Sequence, residues 1–367
     1  MNHTPLARLF GCMLVLCFGL LTSAASAPPG VNPTPSDSDR LTQTEMTTLR
    51  ATSPPPLTAR AAVLMDTDTG RVLWSQAGDR RLPMASTTKM MTALLASELA
   101  EPDEVATVQP RDLVSGSTIH LKKRERITIE QLLYGALIQS GNDAAVTIAD
   151  HVGREHLGGV GDEAIQVFVN EMNERARRMG LLDTHFENPN GFDAPGHYSS
   201  ALDLARLGRE VLKDPLLANI VATAEYRVTG YTETGRERIP VYHHVKTTNE
   251  LLGTYRGANG IKTGTTPKAG EALVASVRRG DSGLIAVVLG SSDRFSDVRS
   301  LFDWGFARYQ WLPLAPPLFD SPARAATGRQ PRVAAVQRWN TDLTFYDSAY
   351  WVATEMLYAP ANPVAAP

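Results

Sequence analysis

Across 367 residues, 36 Lys and Arg stand against 39 Asp and Glu, and a net charge of −3 leaves no electrostatic footprint for nucleic acid. The 2 cysteines, Cys12 and Cys17, both fall in an apolar N-terminal run, so no disulfide framework is expected to hold the rest of the chain. The length admits one large domain or two ordinary ones.

Arg8 precedes an apolar run over 9–21, and Ala25-Ser26-Ala27 follows it. A positive start, a short apolar run and an Ala-x-Ala site predict a secretory signal peptide over 1–27, cleaved after Ala27. The run is too short for a stable membrane span. Leu16 stands where a small residue would precede a lipidated Cys17, which favours simple cleavage. Residues 28–59 are rich in Pro, Ser and Thr and lack the apolar side chains to offset their ordering entropy, so they read as a flexible tether. An exported protein of the periplasm, the cell wall or the extracellular space is expected. No stable transmembrane anchor should remain after cleavage.

The body is expected over 60–312. It opens with two apolar runs, 61–66 and 71–74, around Thr67-Asp68-Thr69-Gly70, a hairpin signature that lays down an edge of sheet beside the segment that follows. A calcium loop from Asp66 would need a bidentate Glu at its twelfth position, where Ala77 stands. Then comes Ser86-Thr87-Thr88-Lys89, leading into a dense apolar helix over 90–96. At a spacing of three, helical side chains share a face, so the Lys89 amine can reach the Ser86 hydroxyl. Burial would lower the lysine pKa, and a neutral amine can take the serine's proton. By itself the quartet arises by chance about once in a chain of this length.

Lys122-Lys123-Arg124 and Arg126 form a small basic run interrupted by Glu125, which reads as a solvated loop. Thr128 and Gln131 have capping-box spacing and start a helix that ends at Ser140-Gly141-Asn142; a second helix follows over 144–149. Ser140 and Asn142 either project from this loop into a cleft or form a plain helix cap. Residues 162–179 make an amphipathic helix, and Ser200 and Asp203 form a second capping box on a helix through Leu212. His151 and His156 are five positions apart, roughly 140° around a helix, so one face cannot offer both to a metal. His243 and His244 point oppositely if extended. No metal and no cofactor are expected. Past Gly253, a Lys262-Thr263-Gly264 strand precedes the β-branched runs 272–277 and 284–289, and a helix over 293–309 packs on them. The fold class is therefore α/β and two-lobed, an antiparallel sheet flanked by helices with a mainly helical insertion and a cleft between the lobes.

Ser86-x-x-Lys89, Ser140-Gly-Asn142 and Lys262-Thr263-Gly264 occur in that order, the motif set of penicillin-binding proteins and class A β-lactamases. From about residue 59 to 309 the chain resembles the D-alanyl-D-alanine carboxypeptidases among the low-molecular-mass penicillin-binding proteins. The Met65-Asp66-x-x-Thr69-Gly70 hairpin, the run from Ser140 to Ala145, Asn188-Pro-Asn-Gly191 and Gly260-Ile-Lys-Thr-Gly264 carry the likeness. The resemblance implies a β-lactamase-like fold and a peptidoglycan pentapeptide as substrate, with Ser86 as nucleophile, Lys89 as general base and Ser140 as proton relay to the leaving amine. Asn142 would hold the substrate backbone. Lys262 would supply charge, Thr263 and Thr265 would bind the terminal carboxylate, and Gly264 would let the strand approach the acyl group. The backbone amides of Ser86 and Thr265 would form an oxyanion hole. β-Lactams would acylate Ser86 and inhibit. A D,D-endopeptidase uses the same residues; a penicillin sensor needs only the serine; a β-lactamase needs a glutamate-held water, for which Glu187 is the nearest candidate. Residues 313–367 are short and rich in Pro and Ala for this family, with 339–346 and 350–353 able to form a small hairpin or pack on the body.

Overall fold

The computed structural model describes residues 54–313 and 334–338. The expected signal peptide, most of the tether, and the segments around Trp339 and Tyr350 lie outside the described residues.

β1 (Ala61–Asp66) and β2 (Val72–Gln76) form the first hairpin. Asp66 makes the turn, accepting the Thr69 amide at 2.7 Å, and Gly70 takes φ +73°, which suits a residue without Cβ. A 3-10 turn, Ala85–Thr88, leads directly into α1 (Lys89–Leu99). β3 (Val105–Thr107) and β4 (Arg126–Thr128) follow, then α2 (Ile129–Leu137), α3 (Asn142–Glu155), α4 (Glu163–Arg178), α5 (Ala201–Lys213) and α6 (Pro215–Val221). β5 (Glu225–Thr234), β6 (Glu237–Lys246), β7 (Ala258–Thr266), β8 (Gly270–Arg279), β9 (Ser282–Ser291), α7 (Arg294–Arg308), β10 (Tyr309–Pro313) and β11 (Ala334–Arg338) complete the order.

The main sheet runs β2-β1-β9-β8-β7, with every neighbouring pair antiparallel. Alternation of side chains divides it between two cores. Val63, Met65, Val274, Ile285 and Val287 face the layer that holds α1 and α5; Ala62, Leu64, Leu273, Ala275 and Val288 face α7 through Val298, Leu301 and Phe302. α1 is buried from Lys89 to Ala96, as expected of a helix with apolar residues on every side. Packing begins at Leu57 and Thr58, whose hydroxyl donates to Asp297 at 2.8 Å.

The α/β class stands, with four differences. The insertion carries a second, four-stranded sheet, β3-β4-β5-β6, where a mainly helical segment is expected from the sequence. β5 and β6 expose one face, and their polar composition hides the strand pattern. Both capping boxes are half formed: Thr128 and Ser200 accept the amides of Gln131 and Asp203, but the side chains of Gln131 and Asp203 do not reach back. Gln131 instead bonds Tyr226 and the Thr229 amide, and Asp203 takes the Asp183 amide, so each fixes a distant segment. The first hairpin supplies the far sheet edge; the edge beside the Ser86 turn is β7. Finally, Glu125 is buried within the basic loop, accepting from His243 at 2.7 Å and from the Lys122 amide.

Candidate active site

Three hydroxyls start α1. Thr87 Oγ1 donates to the Met84 carbonyl at 2.6 Å and Thr88 Oγ1 to the Ala85 carbonyl at 2.8 Å, and Ala85 sits at φ +49°. Such local side-chain bonds compete with regular helix, and the entry is 3-10, which stacks residues i and i+3. Ser86 and Lys89 are thereby brought together. Lys89 Nζ lies 2.9 Å from Ser86 Oγ, 2.7 Å from Asn142 Oδ1 and 2.6 Å from the Asn190 carbonyl oxygen. As an ammonium it donates to all three. As an amine it gives its two N–H groups to Asn142 and Asn190, and its lone pair faces the serine hydroxyl. Lys89 is fully buried, and its pKa is held well below the usual lysine range by desolvation first and by the charge of Lys262 second, against a smaller opposing pull from Asp143.

The Asn190 carbonyl is delivered by a turn built from Asn188 to Gly191. Asn188 Oδ1 accepts the amides of Gly191 and Phe192, while Thr92 on α1 donates to the Pro189 carbonyl at 2.6 Å. Gly191 has φ +91°, and a Cβ there would stand 2.1 Å from the Ala85 carbonyl oxygen and 2.9 Å from Ser86 Cα. Only glycine lets this turn lie against the serine.

Ser140 and Asn142 come from the α2–α3 junction. Ser140 is buried with φ +66°, and its hydroxyl makes no hydrogen bond to another described residue. Asn142 was expected to grip substrate. Its Oδ1 is taken by Lys89 and one Nδ2 hydrogen by the Ser115 carbonyl at 2.9 Å, so it positions the lysine and retains a single free N–H. The following Asp143 fixes the facing loop through the amides of Ile119 and Leu121.

β7 closes the cluster. Lys262 is buried, donates to the Thr263 carbonyl at 3.1 Å, and is lowered to about 7 by desolvation and then by Arg294. The Thr263 hydroxyl meets that of Thr248 at 2.5 Å. A Cβ on Gly264 would lie 2.8 Å from the Ser86 amide nitrogen and 2.9 Å from Ala85 Cβ; the close approach served by this glycine is thus to the serine's own backbone. The Thr265 hydroxyl accepts from Arg294 Nη1 at 2.7 Å, and the same nitrogen donates to the Gly264 carbonyl at 3.0 Å.

Several participants went unread in the sequence. Asn190 acts through a backbone oxygen that any residue carries. Arg294 is one arginine among many until the fold places it at the start of α7. Asp193 ties the Asn188 turn to the end of β7 through Thr266 at 2.7 Å and the Lys268 amide at 3.1 Å. His197 takes the Glu187 amide on Nδ1 at 2.9 Å, which makes Nε2 its N–H donor, 2.8 Å from Thr88 Oγ1.

Other residues weighed in the sequence fall elsewhere. Glu187 pairs with His185 at 3.3 Å and makes no bond to the Ser86 cluster among the described residues. His151 and His156 do converge, both on Glu104 at 2.7 and 2.9 Å, because α3 ends at Glu155 and the second ring leaves the helix. His243 is buried and His244 exposed, as alternation requires. Cavities of about 410 and 450 Å³ are lined by none of the site residues.

Chemically, the cluster offers a half-buried hydroxyl beside an amine biased toward neutrality, and a cationic strand edge that suits a carboxylate. A sequence profile described as D-alanyl-D-alanine carboxypeptidase matches residues 48–293, more than half the chain. A D-alanyl-D-alanine carboxypeptidase of Bacillus subtilis is 37% identical over 265 residues, covering 70% of this chain and 64% of that protein. One from Streptomyces sp. strain K15 is 34% identical, covering 70% of this chain and 90% of that protein. The crystal structure of the Streptomyces K15 DD-transpeptidase superposes with a TM-score of 0.65 at 32% identity, over 70% of this chain and 100% of that one. This chain belongs to the D-alanyl-D-alanine carboxypeptidase family.

Proposed function

We propose that the protein is a serine-type D-Ala-D-Ala carboxypeptidase, removing the terminal D-alanine of peptidoglycan stem peptides through an acyl-enzyme on Ser86. One observation carries this reading: the buried Lys89 amine, with Asn142 and Asn190 holding two of its hydrogens, lies 2.9 Å from the Ser86 hydroxyl. Lys89 takes the hydroxyl proton as Ser86 Oγ attacks the carbonyl of the penultimate D-alanine. The amides of Ser86 and Thr265 receive the oxyanion. Ser140 relays the proton to the leaving amine, and water then cleaves the ester by the reverse use of the same groups. Lys262, Thr263 and Thr265, with Arg294 behind Thr265, bind the terminal carboxylate; the remaining Asn142 N–H meets the peptide backbone. β-Lactams acylate Ser86 and are retained because their leaving group stays tethered.

Fluorescent penicillin should label the parent and not Ser86→Ala, and the parent should release D-alanine from a pentapeptide. Labelling that survives the substitution removes Ser86 as nucleophile. A second reading has a specific support, since a structural relative is described as a DD-transpeptidase. Transfer of the acyl group to an added D-amino acid in preference to water would establish it. Cleavage of crosslinked dimers without D-alanine release would make the protein a D,D-endopeptidase, and penicillin retention with neither activity would make it a sensor.

Such an activity belongs in the cell envelope, which agrees with the signal pattern at 1–27. We assign 28–56 to a tether, 57–312 to the catalytic body, which takes in the packed Leu57 and Thr58, and 313–367 to an extension. No helix among the described residues is long and apolar enough to cross a membrane.

A further inference from the structure

The β5–β6 hairpin shows one face to the core and the other to solvent. Val241, His243 and Val245 point inward; Tyr242 is 53% exposed, and His244 and Lys246 are exposed beside it. On β5, Arg227 stands opposite His244, and Tyr231 stands opposite Pro240. The Arg227 guanidinium lies 5.3 Å from the Tyr242 ring centre, and Tyr231 has Arg126 at 5.8 Å and Arg238 at 4.8 Å. Arg238 has Glu233 at 3.8 Å and Lys246 has Glu225 at 3.2 Å, whereas Arg126 and Arg227 have no carboxylate partner among the described residues. A cavity of about 450 Å³, lined in part by Arg227, His244 and Lys246, opens on the same hairpin.

The hairpin is tied to the site at its root. Thr247 donates to the Ala224 carbonyl at 2.7 Å at the root of the hairpin, and Thr248 touches Thr263 at 2.5 Å. From Thr248, His244 lies about 13 Å and Tyr242 about 20 Å along an extended strand. A pentapeptide spans about 17 Å when extended. A stem peptide whose terminal carboxylate sits at Thr263 and which runs along this strand therefore passes His244, opposite Arg227, and brings its sugar-bearing end toward Tyr242. From this match of reach, charge and ring faces we infer that the outer face of β5–β6 is a subsite for polymeric peptidoglycan. Tyr242 and Tyr231 pack against sugar rings, and Arg227 and Arg126 meet the carboxylates of neighbouring stems. The inference rests on the reading of peptidoglycan as substrate and adds that the polymer is held outside the catalytic cluster.

The test compares the parent, Tyr242→Ala and the double variant Arg227→Glu with Tyr242→Ala. Three readouts are taken: co-sedimentation with purified insoluble peptidoglycan, D-alanine release from a short soluble peptide ending in D-Ala-D-Ala, and fluorescent penicillin labelling. The parent should co-sediment, less so as salt rises. The double variant should lose at least fivefold in the bound fraction while its labelling and short-peptide turnover stay within twofold. Tyr242→Ala alone, with its thermal unfolding checked, should lose at least twofold, which keeps the test decisive if the double variant fails to fold. Parent that does not sediment, or variants that sediment like it, would overturn the subsite, and a protein partner would then be the better occupant of the face. Failure of the parent to turn over the short peptide would strike the carboxypeptidase reading alone, because sedimentation does not depend on turnover.

Discussion

Two lysines within one small volume are held in different protonation balances. Lys89 is useful as a base only when neutral, and Lys262 attracts a carboxylate only when charged. Both are desolvated, and the charge of Lys262 helps keep Lys89 neutral. With Lys262 lowered to about 7, its charge is present below pH 7 and lost as pH rises through that value. KM for a D-Ala-D-Ala peptide should therefore rise above pH 7, by roughly tenfold per pH unit at the limit where the ammonium dominates binding. Lys262→Arg keeps a cation at every accessible pH and should flatten the rise; an unchanged KM profile from pH 6 to 9 would argue against Lys262 as the carboxylate's partner. For stability the sign is opposite. The native lysine sheds its proton before the unfolded one does, so this group favours folding increasingly from about pH 7 toward 10.5 and loses that contribution as pH falls through 7.

At the scale of elements, the entry to α1 is held from outside by the segment after α4. His197 is buried between the Glu187 amide and Thr88, and Thr88 in turn holds the Ala85 carbonyl at the left-handed residue before Ser86. Desolvation lowers His197 to about 4, so the native protein keeps it neutral where the unfolded chain, near 6.5, protonates it. Stability from this group is full above pH 6.5 and is lost as pH falls toward 4. Between pH 7 and 5 it should cost about 2 kcal/mol. Urea unfolding of the parent and of His197→Gln at both pH values measures it: the variant should be less stable at pH 7 and should lose most of the slope. Equal slopes would assign the acid sensitivity to other groups. Elements also explain what could be read in advance. The β-branched runs announced β8 and β9, and Thr128 and Ser200 announced the starts of α2 and α5. The β5–β6 hairpin stayed hidden because its outer face is polar and aromatic, so its alternation is between charged and half-buried residues.

For the whole molecule, the sheet separates two cores with different duties. The layer holding α1 and α5 contains the Ser86–Lys89 cluster, whereas the layer under α7 is apolar packing between Phe302, Trp304, Leu64 and Val288. Phe302→Ala should cost about 3–5 kcal/mol of unfolding free energy, the range for emptying an aromatic site in a dense core. The folded fraction should still take up fluorescent penicillin within threefold of the parent rate. A loss of acylation matching the loss of stability would mean that the two layers are coupled. Arg294, at the start of α7, crosses from one duty to the other, through Gly264 and Thr265.

The sequence by itself put Ser86 within reach of Lys89 and marked the strand that lies beside them. A spacing of three along a helical start is a local geometric fact, and Lys262-Thr263-Gly264 lies just ahead of two β-branched runs that read as its partner strands. Tertiary structure decided the lysine's state. Lys89 is stripped of water and bonded to Asn142 and Asn190, 53 and 101 positions away, and no local spacing encodes which distant oxygen will arrive. It also decided that Asn142 serves the lysine before any substrate, since each amide end is claimed by whichever neighbour the folded backbone brings within hydrogen-bond reach.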